Sequence, residues 1–126
     1  MTENEVARIV VDCAYQVHKS LGPGLLESVY EVALAHELQK RGLSVTRQQP
    51  IAVRYDTLTF DIGFRADIIV EQLVILELKS VETVLPVHKK QLLTYLRLTD
   101  MRLGLLINFG ATYIKDGIKR VVNGLE

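Results

Sequence analysis

A single cysteine, Cys13, stands in the 126 residues, which excludes an internal disulfide and a cysteine-based zinc site and suits a reducing compartment. Excess charge of either sign is missing too, since Lys plus Arg and Asp plus Glu number 15 each. There is thus no global positive field to hold a nucleic acid, and any such binding has to come from a local patch or from oligomerisation. No apolar run approaches the roughly 18 residues of a membrane span. The start, Met1-Thr2-Glu3-Asn4-Glu5, has neither the basic nor the apolar region of a signal peptide. The expectation is a cytoplasmic protein with no membrane partner. His18, His36 and His88 lack a zinc spacing such as HxxxH, and Gly22-Pro23-Gly24 is no phosphate loop because no GKS or GKT follows. Repeats, low-complexity tracts and linkers are absent as well.

What is present describes a chain able to close one core: 48% hydrophobic residues with 24% charged ones, over a length that fits one domain spanning residues 1–126. Val6, Ile9, Val10, Cys13, Ala14, Val17 and Leu21 recur at helical spacing and predict a first helix, stopped by Gly22-Pro23-Gly24. A second helix is expected from about Leu25 to Arg41, with Gly42 as its C-terminal cap. From Ser44 to Tyr55 the pattern turns extended, and Pro50 within it predicts an edge position or a bulge. Asp56-Thr57 reads as a turn, and strands follow over about Phe60 to Val70 and Leu73 to Lys79, close enough to form a hairpin. Pro86 suits the first position of a third helix running to about Leu98, Leu103 to Asn108 reads as an apolar strand, and a short strand is expected between Thr112 and Val122. A mixed α/β sheet of four to five strands flanked by helices accommodates this order.

The hairpin carries charges where apolar residues are expected. In Arg65-Ala66-Asp67-Ile68-Ile69-Val70 and Val74-Ile75-Leu76-Glu77-Leu78-Lys79, acidic and basic groups interrupt two buried-strand patterns. Such burial is costly unless a partner or a metal compensates. Glu77 and Lys79 leave the same face of one strand, roughly 7 Å apart, while Leu76 and Leu78 point to the other. Register decides whether Asp67 joins them. A two-residue turn at Glu71-Gln72 sets Asp67 against Leu76, whereas an odd-numbered loop or a bulge brings Asp67 and Glu77 together.

Two carboxylates, a lysine on the second one's strand and a glutamate upstream form a suitable kit for a hard divalent cation such as Mg²⁺. In metal-assisted phosphodiester hydrolysis the lysine would position the nucleophile or stabilise the transition state. From spacing alone, the same pattern fits a solvated sheet face bearing a weak surface ion pair equally well.

Asp67 followed by Glu77-Leu78-Lys79 resembles the D…ExK core of the PD-(D/E)xK nuclease superfamily, with Ala66 where the superfamily's name has proline. Gln91-Leu92-Leu93-Thr94-Tyr95 resembles the QxxxY motif of its exonuclease-like branches, and Gly24-Leu25-Leu26-Glu27-Ser28-Val29-Tyr30 resembles the signature of the GxxExxY protein family within it. The resemblance spans about Val6 to Val122. It implies a restriction-endonuclease-like core with its site where the central strands splay apart, a Mg²⁺ or Mn²⁺ cofactor and a DNA substrate. Asp67 and Glu77 would be direct metal ligands, the Leu78 carbonyl a third and Glu27 an additional one. Lys79 would handle the attacking water, Gln91 would orient Lys79 or a bound water, and Tyr95 would support the site or touch a phosphate. A homodimer with two sites for two strands is expected by the same analogy.

Plainer readings stand beside these. Glu27 lies where a helix dipole favours a carboxylate whatever its chemistry. Tyr30 and Tyr95 fall on apolar stripes and read as core tyrosines with bonded hydroxyls, and Cys13 as core packing. Gln91 takes an inward helical position that an aliphatic residue would fill better. His18 near the glycine corner reads as a surface or capping residue. Arg65, the cluster His88-Lys89-Lys90, and Lys115, Lys119 and Arg120 read as solvated surface, with phosphate contact as the sharper alternative. The leading functional expectation is a Mg²⁺- or Mn²⁺-dependent deoxyribonuclease. The others are a non-catalytic nucleic-acid-binding or protein-interaction module and a remnant that binds metal only for stability.

Overall fold

The protein, described by a computed structural model over residues 1–125, places nine elements in the order α1 (Glu3–Leu21), α2 (Glu27–Lys40), β1 (Val45–Tyr55), β2 (Leu58–Val70), β3 (Val74–Lys79), α3 (Pro86–Thr99), β4 (Leu103–Asn108), α4 (Ile114–Gly117) and β5 (Ile118–Val122). The strands form one five-stranded mixed sheet in the order β1-β2-β3-β4-β5. All neighbours are antiparallel except β3 and β4, which run parallel because the chain returns through α3. This is the restriction-endonuclease-like α/β arrangement that the pattern of elements anticipates. No helix among the described residues is long and apolar enough to cross a membrane.

Alternation along the central strands divides the core into two layers. Ile68, Leu76, Leu78, Leu105 and Ile107 meet Val10, Cys13, Leu34 and Leu38 of α1 and α2. Ile69, Ile75 and Leu106 meet Leu92 and Leu96 of α3 on the other side. Every residue of β4 is buried, as a strand covered by helices on both faces has to be. Cys13 is buried and unpaired, in keeping with a packing role.

Local signals set the helix ends. Thr2 and Glu5 form a reciprocal capping box at the start of α1, and Gly22, at φ +72°, ends it by donating its N–H to the His18 carbonyl. The second helix begins at Glu27, two residues later than apolar periodicity indicates. The Leu25 N–H is held by the Tyr30 hydroxyl at 3.0 Å, and Leu26 stays extended as the N-cap. Gly42, at φ +80°, takes the post-helical position expected of it. Pro50 lies on the edge strand β1, and the β1–β2 register shifts just beyond it, between Ile51 and Val53. The hairpin between β2 and β3 has the three-residue loop Glu71-Gln72-Leu73, with Val70 paired to Val74 and Ile68 to Leu76. The odd loop is the one that sets Asp67 against Glu77.

Tyr30 is a fully buried brace for the glycine corner. Its hydroxyl donates to the Gly22 carbonyl at 2.6 Å while accepting the Leu25 N–H, and its ring stacks on Phe109 at 4.5 Å. Tyr30→Phe keeps the ring and orphans both backbone groups, so it should cost about 1–3 kcal/mol. Denaturant unfolding of the two proteins side by side measures this, and equal midpoints would mean the corner does not depend on the hydroxyl.

Candidate active site

Pairing between β2 and β3 ends at Ile68 and Leu76, and the next residues in register are Asp67 and Glu77. Here the strands part. Asp67 Oδ2 accepts the Leu78 N–H at 2.8 Å, so a side chain takes the place of a ladder carbonyl. The opening is a cleft of about 400 Å³ lined by Glu27, Ser28, Glu31, Gln48, Asp67, Glu77, Leu78 and Lys79. A larger groove of about 770 Å³ between α1 and α2 is mostly apolar, lined by Val17, Leu21, Val29 and Val32, and offers no carboxylate pair with a lysine. The smaller cleft is the one that brings carboxylates and a lysine together.

Four hydrogen bonds and a ring stack hold the start of α2 and the end of β3 together. Ser80 Oγ donates to the Leu25 carbonyl at 2.6 Å, tying the residue after Lys79 to the segment that leads into Glu27. The Phe109 N–H donates to the Lys79 carbonyl at 2.8 Å, and the Phe109 ring stacks on Tyr30. Buried Asn108 then clamps the strand's exit, accepting the Val81 N–H through Oδ1 at 3.0 Å and donating Nδ2 to the Val81 carbonyl at 2.8 Å. Gly110 is required beside this clamp, because a Cβ there would collide with the Val81 backbone.

Glu77 is the group under most electrostatic stress. Its Oε1 is sealed from solvent and has no hydrogen-bond partner among the described residues. Burial, and next the negative charge of Asp67, push its pKa up to about 9, and the Lys79 ammonium offsets only part of this. The weak surface ion pair that spacing alone allowed does not form: among the described residues Lys79 makes no ion pair within 4 Å. Across α3, the Tyr95 ring stacks on Phe64 at 3.8 Å, and its phenol is pushed up by burial and then by the charges of Glu77 and Asp67.

Of the residues singled out in the sequence, Glu27, Asp67, Glu77, Leu78 and Lys79 are together in the cleft. Tyr95 is half-buried near the carboxylates without lining the cleft. Gln91 does not take the inward position expected of it: Leu92 and Leu96 form the buried face of α3, and Gln91 is exposed with no side-chain hydrogen bond among the described residues. His18 Nε2 donates to the Ala111 carbonyl at 2.9 Å, and His88 Nδ1 accepts the Leu85 N–H at 3.1 Å as a capping residue of α3. Neither lines the cleft. Sequence reasoning missed Glu31, which is only 7% exposed, and Gln48, which bonds to it. Glu31 stands one helical turn after Glu27, a spacing that could have drawn it in. Gln48 offers no such signal.

A family model of the PD-(D/E)XK nuclease superfamily matches residues 4–121, and the chain belongs to that superfamily. No curated protein and no solved structure matches it.

The Glu77 shift has a thermodynamic consequence. Between the ordinary value of 4.5 and about 9, the folded protein keeps a proton that the unfolded chain has lost, so stability falls as pH rises through that window. In chelator-treated buffer the Tm should therefore drop from pH 5 to pH 9. Glu77→Gln, neutral throughout, should flatten that slope and raise the Tm at pH 8 by about 5 °C. Scanning calorimetry across the pH range decides it, and parallel slopes for the two proteins would contradict the buried-carboxylate account.

Proposed function

We propose that this chain is a divalent-cation-dependent nuclease that hydrolyses phosphodiester bonds in DNA, with Asp67 and Glu77 as cation ligands and Lys79 as the catalytic ammonium. The observation that carries this reading is the register-opposed pair Asp67 and Glu77, with an unpartnered Glu77 oxygen, in a cleft shared with Lys79. Nucleases of the superfamily generally use divalent metal ions. The residues present fit one. A carboxylate held near neutrality by burial and by a like charge is a group that a cation would return to its ionised form. No three Asp, Glu, His or Cys side chains form a ready cage among the described residues, but Mg²⁺ keeps several waters and needs only one or two carboxylates. The Leu78 carbonyl and Glu27 complete the proposed donor set.

When bound, a Mg²⁺ or Mn²⁺ ion supplies charge neutralisation at the phosphate and a more acidic water. The chain's own groups provide the rest. Asp67 is held in orientation through its bond to Leu78, so the donor set keeps its geometry as substrate arrives. Lys79 Nζ, with three N–H donors, positions the attacking water and stabilises negative charge developing on the phosphate oxygens. Lys79 ends β3, with its carbonyl bonded to Phe109 and the chain beyond it clamped by Asn108, which limits the drift of the ammonium. Tyr95 supports the carboxylates from the α3 side. Gln91, one turn away and exposed, is proposed to act only once substrate or a bound water reaches it. A single buried, unpaired cysteine is in keeping with a cytoplasmic setting.

Cleavage of single- and double-stranded DNA with Mg²⁺ or Mn²⁺, comparing wild type with Lys79→Ala and Glu77→Ala purified in parallel, tests the proposal. Each variant should lose at least about 10²-fold in turnover while retaining a cooperative unfolding transition. Equal cleavage by all three would identify a contaminant. Absence of cleavage together with binding indifferent to Lys79 would favour a non-catalytic nucleic-acid-binding module on the same fold.

A further inference from the structure

Among the described residues, five other than glycine have a positive φ, and four of them serve connections. Asp56, Glu71 and Gln72 lie in hairpin turns, and Asp100 caps α3. The fifth, Gln48, at φ +52°, lies inside β1 with no turn to make. The ladder passes from Arg47–Ile68 to Gln49–Ala66 and omits the intervening pair, Gln48 opposite Asp67. A left-handed conformation is unfavourable for a residue with a Cβ, and such strain concentrates where a site requires a side chain in a particular place.

The side chain lies between two carboxylates. Gln48 Nε2 donates to Glu31 Oε1 at 2.5 Å and reaches Asp67 Oδ1 at 3.4 Å. Both neighbours are acceptors when ionised, so the amide nitrogen and not its oxygen has to lie between them. Glu31 is itself anchored, with Arg47 Nε at 3.1 Å and Nη2 at 3.0 Å from its Oε2. A continuous chain of bonds therefore runs from Arg47 through Glu31 and Gln48 to Asp67, and from Asp67 Oδ2 to the Leu78 N–H. Each Asp67 oxygen has a separate donor, which fixes the rotation of the carboxylate.

We propose that Gln48 is a positioning residue of the active site, its amide set by the left-handed backbone and braced by Glu31 so as to orient the Asp67 carboxylate toward a bound divalent cation. The inference rests on the reading above that Asp67 is a cation ligand. A purely structural role explains it less well, because an ordinary extended residue would continue β1 without strain and Arg47 alone would pair with Glu31. Donors that hold a metal ligand typically change metal affinity by about 10–100-fold when lost.

Gln48→Gly separates the two roles, since glycine removes the amide and also relieves the left-handed backbone. Mn²⁺ binding followed by electron paramagnetic resonance, together with the Tm in chelator, should show affinity weakened by about 10–100-fold and a Tm equal to or above that of wild type. Gln48→Ala, which keeps the strain, should show the same affinity loss at a lower Tm than Gln48→Gly. Wild-type affinity in Gln48→Gly, with Lys79-dependent cleavage intact in the wild type, overturns this inference alone. A Tm that falls in step with affinity in Gln48→Gly assigns the residue to the fold and also overturns it. Wild type that neither binds Mn²⁺ nor cleaves DNA removes the nuclease reading, and this inference with it.

Discussion

The bond from the Leu78 N–H to Asp67 Oδ2 is the point on which the molecule's organisation turns. Up to Ile68 and Leu76 the central strands are paired in the ordinary way, and beyond them a carboxylate substitutes for a backbone acceptor. This substitution leaves no unsatisfied N–H where the ladder ends, so the strands can part without the usual cost of a broken sheet. A cleft opens where, among the described residues, the carboxylates and a lysine of the central strands converge. The fold accommodates charge there because the opening admits water to one side of each group while the other side stays packed.

Burial and charge pull against each other at Glu77. A carboxylate with one oxygen cut off from solvent and another carboxylate opposite is an expense for a chain of this size. The surrounding structure contains it with rigid parts. Tyr30, Phe109, Ser80 and Asn108 lock the glycine corner, the start of α2 and the exit of β3 into one assembly. The Gly24–Tyr30 segment thus has a mechanical reading: glycine bends the chain, tyrosine holds the bend, and Glu27 between them is carried to the rim of the cleft. Strain at functional sites is tolerated when the neighbouring structure over-determines it.

Polar groups are arranged differently on the two sides of the carboxylates. On the α2 side, Arg47, Glu31 and Gln48 form a linked network that ends on Asp67. On the α3 side, a stacked Phe64–Tyr95 pair presents an aromatic wall, and Gln91 points into solvent. The bonded side gives direction to the Asp67 carboxylate. The aromatic side lowers the local polarity and strengthens the interaction between charges nearby.

Much of this was legible in the residues. Helical periodicity in α1, the glycine corner, Gly42 after α2, Pro50 on an edge and Pro86 at the start of α3 all act through local sterics and hydrogen bonding, so the sequence itself determined them. The alternation that puts Glu77 and Lys79 on one strand face is likewise a property of the chain. Whether Asp67 met Glu77 was not, because one residue more or less in the hairpin loop reverses every side chain beyond it, and only the folded hairpin settled on three. The parts played by Glu31, Gln48 and Asn108 were also decided by tertiary structure. Their long-range partners lie between 16 and 27 positions away in the chain, and a hydrogen bond across such a distance exists only after helix, edge strand and central strands have packed.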